Sequence, residues 1–178
     1  DYVVCKLPRW DLGKFRGVDR ELGSSMKSVG EVMSIGRTFE EAIQKGMRMI
    51  RQGIHGFEGN HGVCIENIEE SLEEPTDKRL LVIAEALHQG YSIEKIHELT
   101  RIDCWFLQRL RHISVTAKQL RDCGNINRLA YELLLKAKRQ GFSDFQIARE
   151  LGMEESINID KAMLLVRSKR KLMGIFPY

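Results

Sequence analysis

The pattern of apolar and polar positions divides the chain into an extended opening and a helical remainder. Tyr2, Val3, Val4, Cys5 and Leu7 fall in one short run, which reads as a strand buried on both faces. A buried strand needs neighbours, and no later segment reads as one. The stretch RWDLGKFRGVDRELGSS is rich in Gly and charge, the composition of a surface connection. After it, Thr38-x-x-Glu41 has the form of a capping box, in which hydroxyl and carboxylate satisfy first-turn amides. Phe39, Ala42, Ile43, Met47 and Ile50 then recur every three or four residues, giving an amphipathic helix that should end near Gly53.

From GIHGFEGNHGVC to EEPTDK the composition shifts to Gly, Asn, Glu and Pro, as in a linker. Helical spacing then predicts helices over Leu80–His88, Ile93–Leu99, Cys104–Arg121, Arg128–Arg139, Phe145–Leu151 and Ile157–Met173. A short repeat lies among them: GYSIEKIHELTRID aligns with GFSDFQIARELGME, placing Gly90 on Gly141, Tyr91 on Phe142, Ser92 on Ser143 and Ile96 on Ile147. Each copy offers a Gly, an aromatic and a Ser at an N-cap, the signature of a tight helix-to-helix corner. In the second copy Ser143-x-x-Gln146 is another capping box, and Gly152 stands where a C-cap glycine would end the helix.

Composition narrows the classes. With 43% hydrophobic and 30% charged residues over 178 positions, the chain can bury a core. Its formal charge of +3 is too small to imply a nucleic acid or anionic membrane partner by itself. No apolar run approaches the roughly 20 residues that a membrane-spanning helix needs, and no secretion pattern opens the chain. Cys5, Cys64, Cys104 and Cys123 are widely spaced without a Cys-x-x-Cys pair, so reduced thiols in a cytoplasmic protein are the expectation. The missing initial Met and the aromatic end GIFPY make both termini read as cuts.

Candidate chemistry is sparse. Gly30 and Gly36 of MKSVGEVMSIG are followed by Glu31 and Arg37, so neither phosphate-loop pattern is present. The segment FSDFQIARELGMEESINIDKAMLLVRSKRK has the outline of a DNA-binding helix-turn-helix, with Arg167, Lys169, Arg170 and Lys171 as phosphate contacts. Glu154 and Glu155 at the start of its second helix would repel a duplex, which favours a structural corner. His55 and His61 lack a third metal ligand, Trp105 and Phe106 read as a core anchor, and Glu40 and Glu41 serve the helix start and its dipole.

Taken together, DYVVCKLPRWDLGKF, LGSSMKSVGEVMSIGRTFEEAIQKGMRMI, PTDKR, GYSIEKIHELTRIDCWFLQRL and KRQGFSDFQIAREL resemble, in order and spacing, the large chain of carbamoyl phosphate synthetase. Cys5 and Cys104 depart from that pattern, and MEESINIDKAMLLVRSKRKLMGIFPY follows it loosely. The resemblance implies a mainly α fold in which residues 1–51 end a carboxyphosphate-forming ATP-grasp unit, 52–79 are a boundary, and 80–178 form a helical oligomerisation domain. It also implies a parent ligase that makes carbamoyl phosphate from bicarbonate, ATP and glutamine-derived ammonia, in the arginine or pyrimidine pathway. This segment itself would hold no cofactor, no metal and no catalytic residue, because the ATP and Mg²⁺ sites precede Asp1. The implied partners are other large chains and a glutaminase small chain, with neither nucleic acid nor membrane. Glu31 would belong to the acidic lining of a carbamate tunnel, with Lys27 and Ser28 positioning it; a channel keeps such a carboxylate partly hydrated, where a dry core would penalise it.

Two classes of function remain at this stage. One is a scaffold and assembly region of a ligase; the alternative is a helix-turn-helix DNA-binding or regulatory module. Salt separates them, since phosphate contacts weaken steeply with ionic strength and apolar helix contacts do not.

Overall fold

The first strand finds its partner about twenty residues downstream, in the glycine-bounded stretch that resembled a phosphate loop. The computed structural model describes residues 1–10, 12, 17, 19–50, 53–58, 60 and 65–176. In it β1 (Val3–Arg9) pairs antiparallel with β2 (Gly30–Gly36), with Val4 opposite Ile35 and Lys6 opposite Met33. The strand pattern is therefore not that of a doubly buried strand. Leu7 and Ser34 face inward and are buried, whereas Val4, Met33 and Ile35 on the other face are 42%, 62% and 52% exposed, the alternation of a sheet covered on one side.

The covering element is α1 (Phe39–Met49). Its approach depends on Gly46: a Cβ there would come within 2.1 Å of Leu7 Cδ1 and 2.9 Å of Ser34 Oγ. The buried Ser34 hydroxyl donates to the Ala42 carbonyl at 2.7 Å, fixing strand to helix. The expected capping box forms by half. The Thr38 hydroxyl accepts from Glu41 N at 3.2 Å, but the Glu41 carboxylate accepts from Arg37 N rather than from the cap residue, and also binds Lys45. The helix ends at Met49, short of Gly53.

The stretch 52–79, linker-like in composition, contains α2 (Ile68–Glu73). Asn67 caps it, and Ile68 and Leu72, one turn apart, are buried. Phe57 is fully buried as well, between buried Gly56 and Glu58, so this part of the stretch is packed chain. The following helices are α3 (Arg79–His88), α4 (Ile93–Thr100), α5 (Cys104–Cys123), α6 (Tyr131–Arg139), α7 (Asp144–Glu150) and α8 (Ile159–Leu172). The long α5 is the axis of the helical part: Leu107, Leu110, Ile113, Ala117 and Leu120 lie along its buried side, and α1, α3, α4, α6 and α7 pack on it. Burying a leucine in this way stabilises by roughly 1.5–3 kcal/mol.

The repeat is a structural one. Gly90 and Gly141 adopt φ of 87° and 86°, the amides of Tyr91 and Phe142 reach back to Ala86 O and Ala137 O at 3.0 Å each, and Ser92 and Ser143 cap α4 and α7. The reciprocal Ser143 and Gln146 capping box is complete. Two helix starts come later than their periodicity predicts. Asn125 closes a turn on Asn127 N after the left-handed Gly124, so α6 begins at Tyr131; Gly152 (φ 67°) opens a 3₁₀ turn over Met153–Glu155, so α8 begins at Ile159 under an Asn158 cap.

Candidate functional site

Glu31 stands at the start of β2 on the sheet face that α1 leaves uncovered. Lys6, two residues along β1 from Glu31's partner Pro8 and so on the same face, places its Nζ 3.0 Å from Glu31 Oε2, and both side chains are about 60% exposed (63% and 60%). Lys27 points elsewhere. Its ammonium donates to Glu21 O at 2.6 Å, Asp19 O at 3.2 Å and Asp19 Oδ2 at 3.3 Å, organising the turn before β2. The amide of Glu21 and this ammonium hold the Asp19 carboxyl below its ordinary range. Ser28, which follows Lys27 in the chain, is half-buried. The structure thus sets Glu31 beside Lys6, and brings neither Lys27 nor Ser28 against its carboxylate. Beyond the strand edge, a groove of about 560 Å³ is lined by Met33, Ser34, Ile35, Lys45, Arg48 and Met49.

The far side of α1 carries a second constellation. Gln44, fully buried, donates through Nε2 to Gln140 O at 3.1 Å, and its Oε1 accepts from Gln146 Nε2 at 2.8 Å and Phe57 N at 3.3 Å. Arg48 donates to Gly141 O at 2.7 Å and Gln146 Oε1 at 3.0 Å. Each polar atom named here has its partner, which is what makes a buried amide tolerable. The result is a hydrogen-bonded joint between the β2–α1 layer and the α6–α7 corner.

Two carboxylates extend that joint. Glu40 is 5% exposed, with Oε1 3.0 Å from His112 Nδ1 and 3.7 Å from Arg109 Nη1 on α5; it ties two helices together as well as standing in the first turn. Glu58 is buried, accepts from the Ser114 hydroxyl, and has Oε2 3.9 Å from Arg121 Nη1, which also binds Glu150 on α7. Burial pushes the Glu58 carboxyl up, against the pull of Ser114 and Arg121 and with a smaller push from Glu85. Neither role shows in one-dimensional spacing. The available hint was Gln44 and Arg48 following Glu40 at intervals of four, a polar stripe opposite the apolar one.

Trp105 and Phe106 are not the core anchor their size predicts. They are 50% and 44% exposed, edge-on to each other and to Phe39, with Arg109 over the Trp105 ring at 4.9 Å. Asp103 caps α5 just before them, which turns this first part of the helix outward while Leu107 turns in. His55 stacks on Phe145 with ring centroids 4.3 Å apart, and burial and Arg149 keep it below the ordinary histidine range. His61 and Cys64 lie outside the described residues. Among the described residues no group of three or more His, Cys, Asp or Glu side chains is placed to hold a metal, and no helix is long and apolar enough to cross a membrane.

The helix-turn-helix reading is not favoured. The segment that would open a recognition helix is the 3₁₀ turn Met153–Glu155, with Glu154 paired to Arg149 at 3.1 Å, and Arg170 is buried on Asp144. A duplex needs those cations on its phosphates.

Comparison with known proteins agrees with this assignment. Residues 31–169 match the family model described as carbamoyl-phosphate synthetase large chain, oligomerisation domain. The whole chain is 46% identical to the mitochondrial arginine-specific large chain of carbamoyl phosphate synthase from Schizosaccharomyces pombe, of which it covers 14%. It is 49% identical to the arginine-specific large chain from Eremothecium gossypii, covering 15% of it. Over 99% of the chain it is also 49% identical to multifunctional protein pyr1-3 of Dictyostelium discoideum, covering 8% of that protein.

Proposed function

The chain belongs to the carbamoyl-phosphate synthetase large-chain family, with residues 31–169 as its oligomerisation domain, and from that premise we propose that it is the assembly scaffold of a ligase making carbamoyl phosphate from bicarbonate, ATP and glutamine-derived ammonia. The observation that carries this reading is the family match over most of the chain. In this reading residues 1–51 end an ATP-grasp unit, which the oligomerisation-domain match overlaps from residue 31, and the nucleotide and Mg²⁺ sites of that unit lie elsewhere in the full-length chain. The full-length protein is cytoplasmic and works with a glutaminase small chain. The helical part meets its counterpart in another large chain.

The joint around Gln44 and Arg48 gives the scaffold a mechanical role. Helix α1 presses on the sheet through Ala42 and Gly46 and on the helical part through Gln44 and Arg48, so the placement of β2 follows that of the bundle. Glu31, at the head of β2 and hydrated, lines the passage for carbamate, with Lys27 holding the preceding turn and Ser28 between them. In the full-length protein, Glu31→Ala is expected to raise ATP consumed per carbamoyl phosphate formed, through leakage of the unstable intermediate. Unchanged coupling would remove Glu31 from the passage. Sedimentation of the full-length protein over a wide concentration range tests the scaffold reading: reversible self-association is expected, and a monomer throughout refutes it.

A further inference from the structure

Helix α8 has two opposite faces. Ala162, Val166 and Arg170 are buried, and α7 is the helix packed most closely on α8; Arg170 Nε binds Asp144 there at 3.1 Å. The other face turns outward and carries Leu164, Leu165 and Leu172, which are 62%, 47% and 87% exposed. Leu165 and Leu172 lie seven residues apart on that face, in line with Lys161 and Ser168, and Leu164 flanks them. Single exposed leucines are ordinary, but three on one helical face form a patch that calls for a cover.

Charge decides what that cover is. Lys161 and Lys171 lie on the leucine face, and α8 carries five cations against one carboxylate. A second α8 laid along it would oppose like charges, which association penalises. The complement is present on the same chain. Residues 66–74 contain five glutamates and no cation, and Glu69, Glu70 and Glu73 of α2 are exposed. The adjoining α4 adds exposed Glu94 and Glu98; Lys95, at 3.4 Å from Glu69, and Arg111, whose charge reaches Glu94, are internal counter-charges.

We propose that the acidic α2–α4 face of a second copy of this chain covers the leucine and lysine face of α8. The inference rests on the self-association reading and names its surface. Because the two faces differ, each copy offers one and receives the other, so the contact closes either as an isologous pair about a twofold axis, with both contacts made at once, or as a heterologous ring. Leucine burial supplies affinity that salt leaves intact, and the opposed charges supply orientation and association rate, which salt weakens.

The test uses the full-length protein and three variants, with sedimentation velocity as the readout and thermal unfolding as a check that each variant folds. Lys161→Glu with Lys171→Glu reverses the two cations on the α8 face; Glu73→Lys with Glu98→Lys puts two cations into the acidic face, at helix ends where a cation suits the dipole. Each double variant is expected to weaken self-association about tenfold or more, and the fourfold variant to regain most of it, since opposite charges meet again. A wild-type protein that associates while neither reversal weakens it overturns this surface and leaves self-association standing. Reversals that weaken association without rescue in the fourfold variant also overturn the pairing. A wild-type monomer at every concentration overturns the scaffold reading and this inference together.

Discussion

Gly90 and Gly141 form a matched pair of perturbations, because the repeat gives them the same backbone in different surroundings. Both follow a helix, both have φ near +87° (87° and 86°), and both precede an aromatic and an N-cap serine. An Ala at either position enters the left-handed region, which costs an L-residue about 1–2 kcal/mol. At Gly90 nothing lies within 4 Å of the new Cβ, so the cost stops there. At Gly141 the Cβ would meet Glu41 Cα and O at 3.0 Å each and Gln44 Cβ at 3.3 Å. Helix backbone cannot swing aside as a side-chain end can, so overpacking adds about 1–3 kcal/mol. With a denaturant slope of about 2 kcal/mol/M in urea, Gly141→Ala should unfold at a midpoint roughly 0.5–1.5 M below Gly90→Ala. Equilibrium urea unfolding of the two variants, followed by circular dichroism, measures this directly. Equal midpoints with equal slopes would show that α1 does not press on the α6–α7 turn, and would undo the joint described above.

Two further predictions concern titration. Because the Glu58 carboxyl is raised by burial, the native state takes up its proton before the unfolded state does. Lowering the pH from neutral through that raised value should therefore stabilise the wild type relative to Glu58→Gln, and the difference should level off below the ordinary glutamate range; a difference independent of pH would show the carboxyl to be solvated. Asp144 behaves oppositely: burial pushes its carboxyl up, but Lys138 at 2.9 Å and Arg170 at 3.1 Å hold it below the usual range. Asp144→Asn should cost about 1–3 kcal/mol at neutral pH, for a partly buried pair that loses one partner. The gap should close as the pH falls through the lowered folded value, read as urea midpoints at a series of pH values; a constant gap would point to lost packing alone.

The parts of the fold written in local chemistry were legible. Ser92, Ser143 and Gln146 announced their helix starts, and the Gly and aromatic corners predicted their own repetition, because caps and turns depend on residues a few positions apart. Strand β2 was missed because its few apolar residues are bounded by glycines and Glu31 and interrupted by Ser34, and its identity rests on Val3–Arg9 lying alongside. Helix α2 has six residues and buries two, too short for a period to emerge from a Glu-rich stretch. The outward turn of Trp105 and the inward placement of Glu40 are set by the direction each helix enters, a tertiary property. Of the residues assigned to the tunnel by resemblance, Glu31 stands at an exposed strand end, whereas Lys27 is taken up by its own turn.

The position of α1 between two layers constrains how this chain can change length. Ala42 and Gly46 lie on one side of the helix and Glu40, Gln44 and Arg48 on the other. One inserted or deleted residue rotates everything beyond it by about 100°, which would drive a side chain into Leu7 and pull Gln44 from Gln140 at the same moment. A helix with one buried face can absorb such a slip by repacking; one gripped on both sides cannot. Length variation among homologous chains is accordingly expected at the open corner around Gly90, where no atom lies near the glycine, and not between Phe39 and Met49.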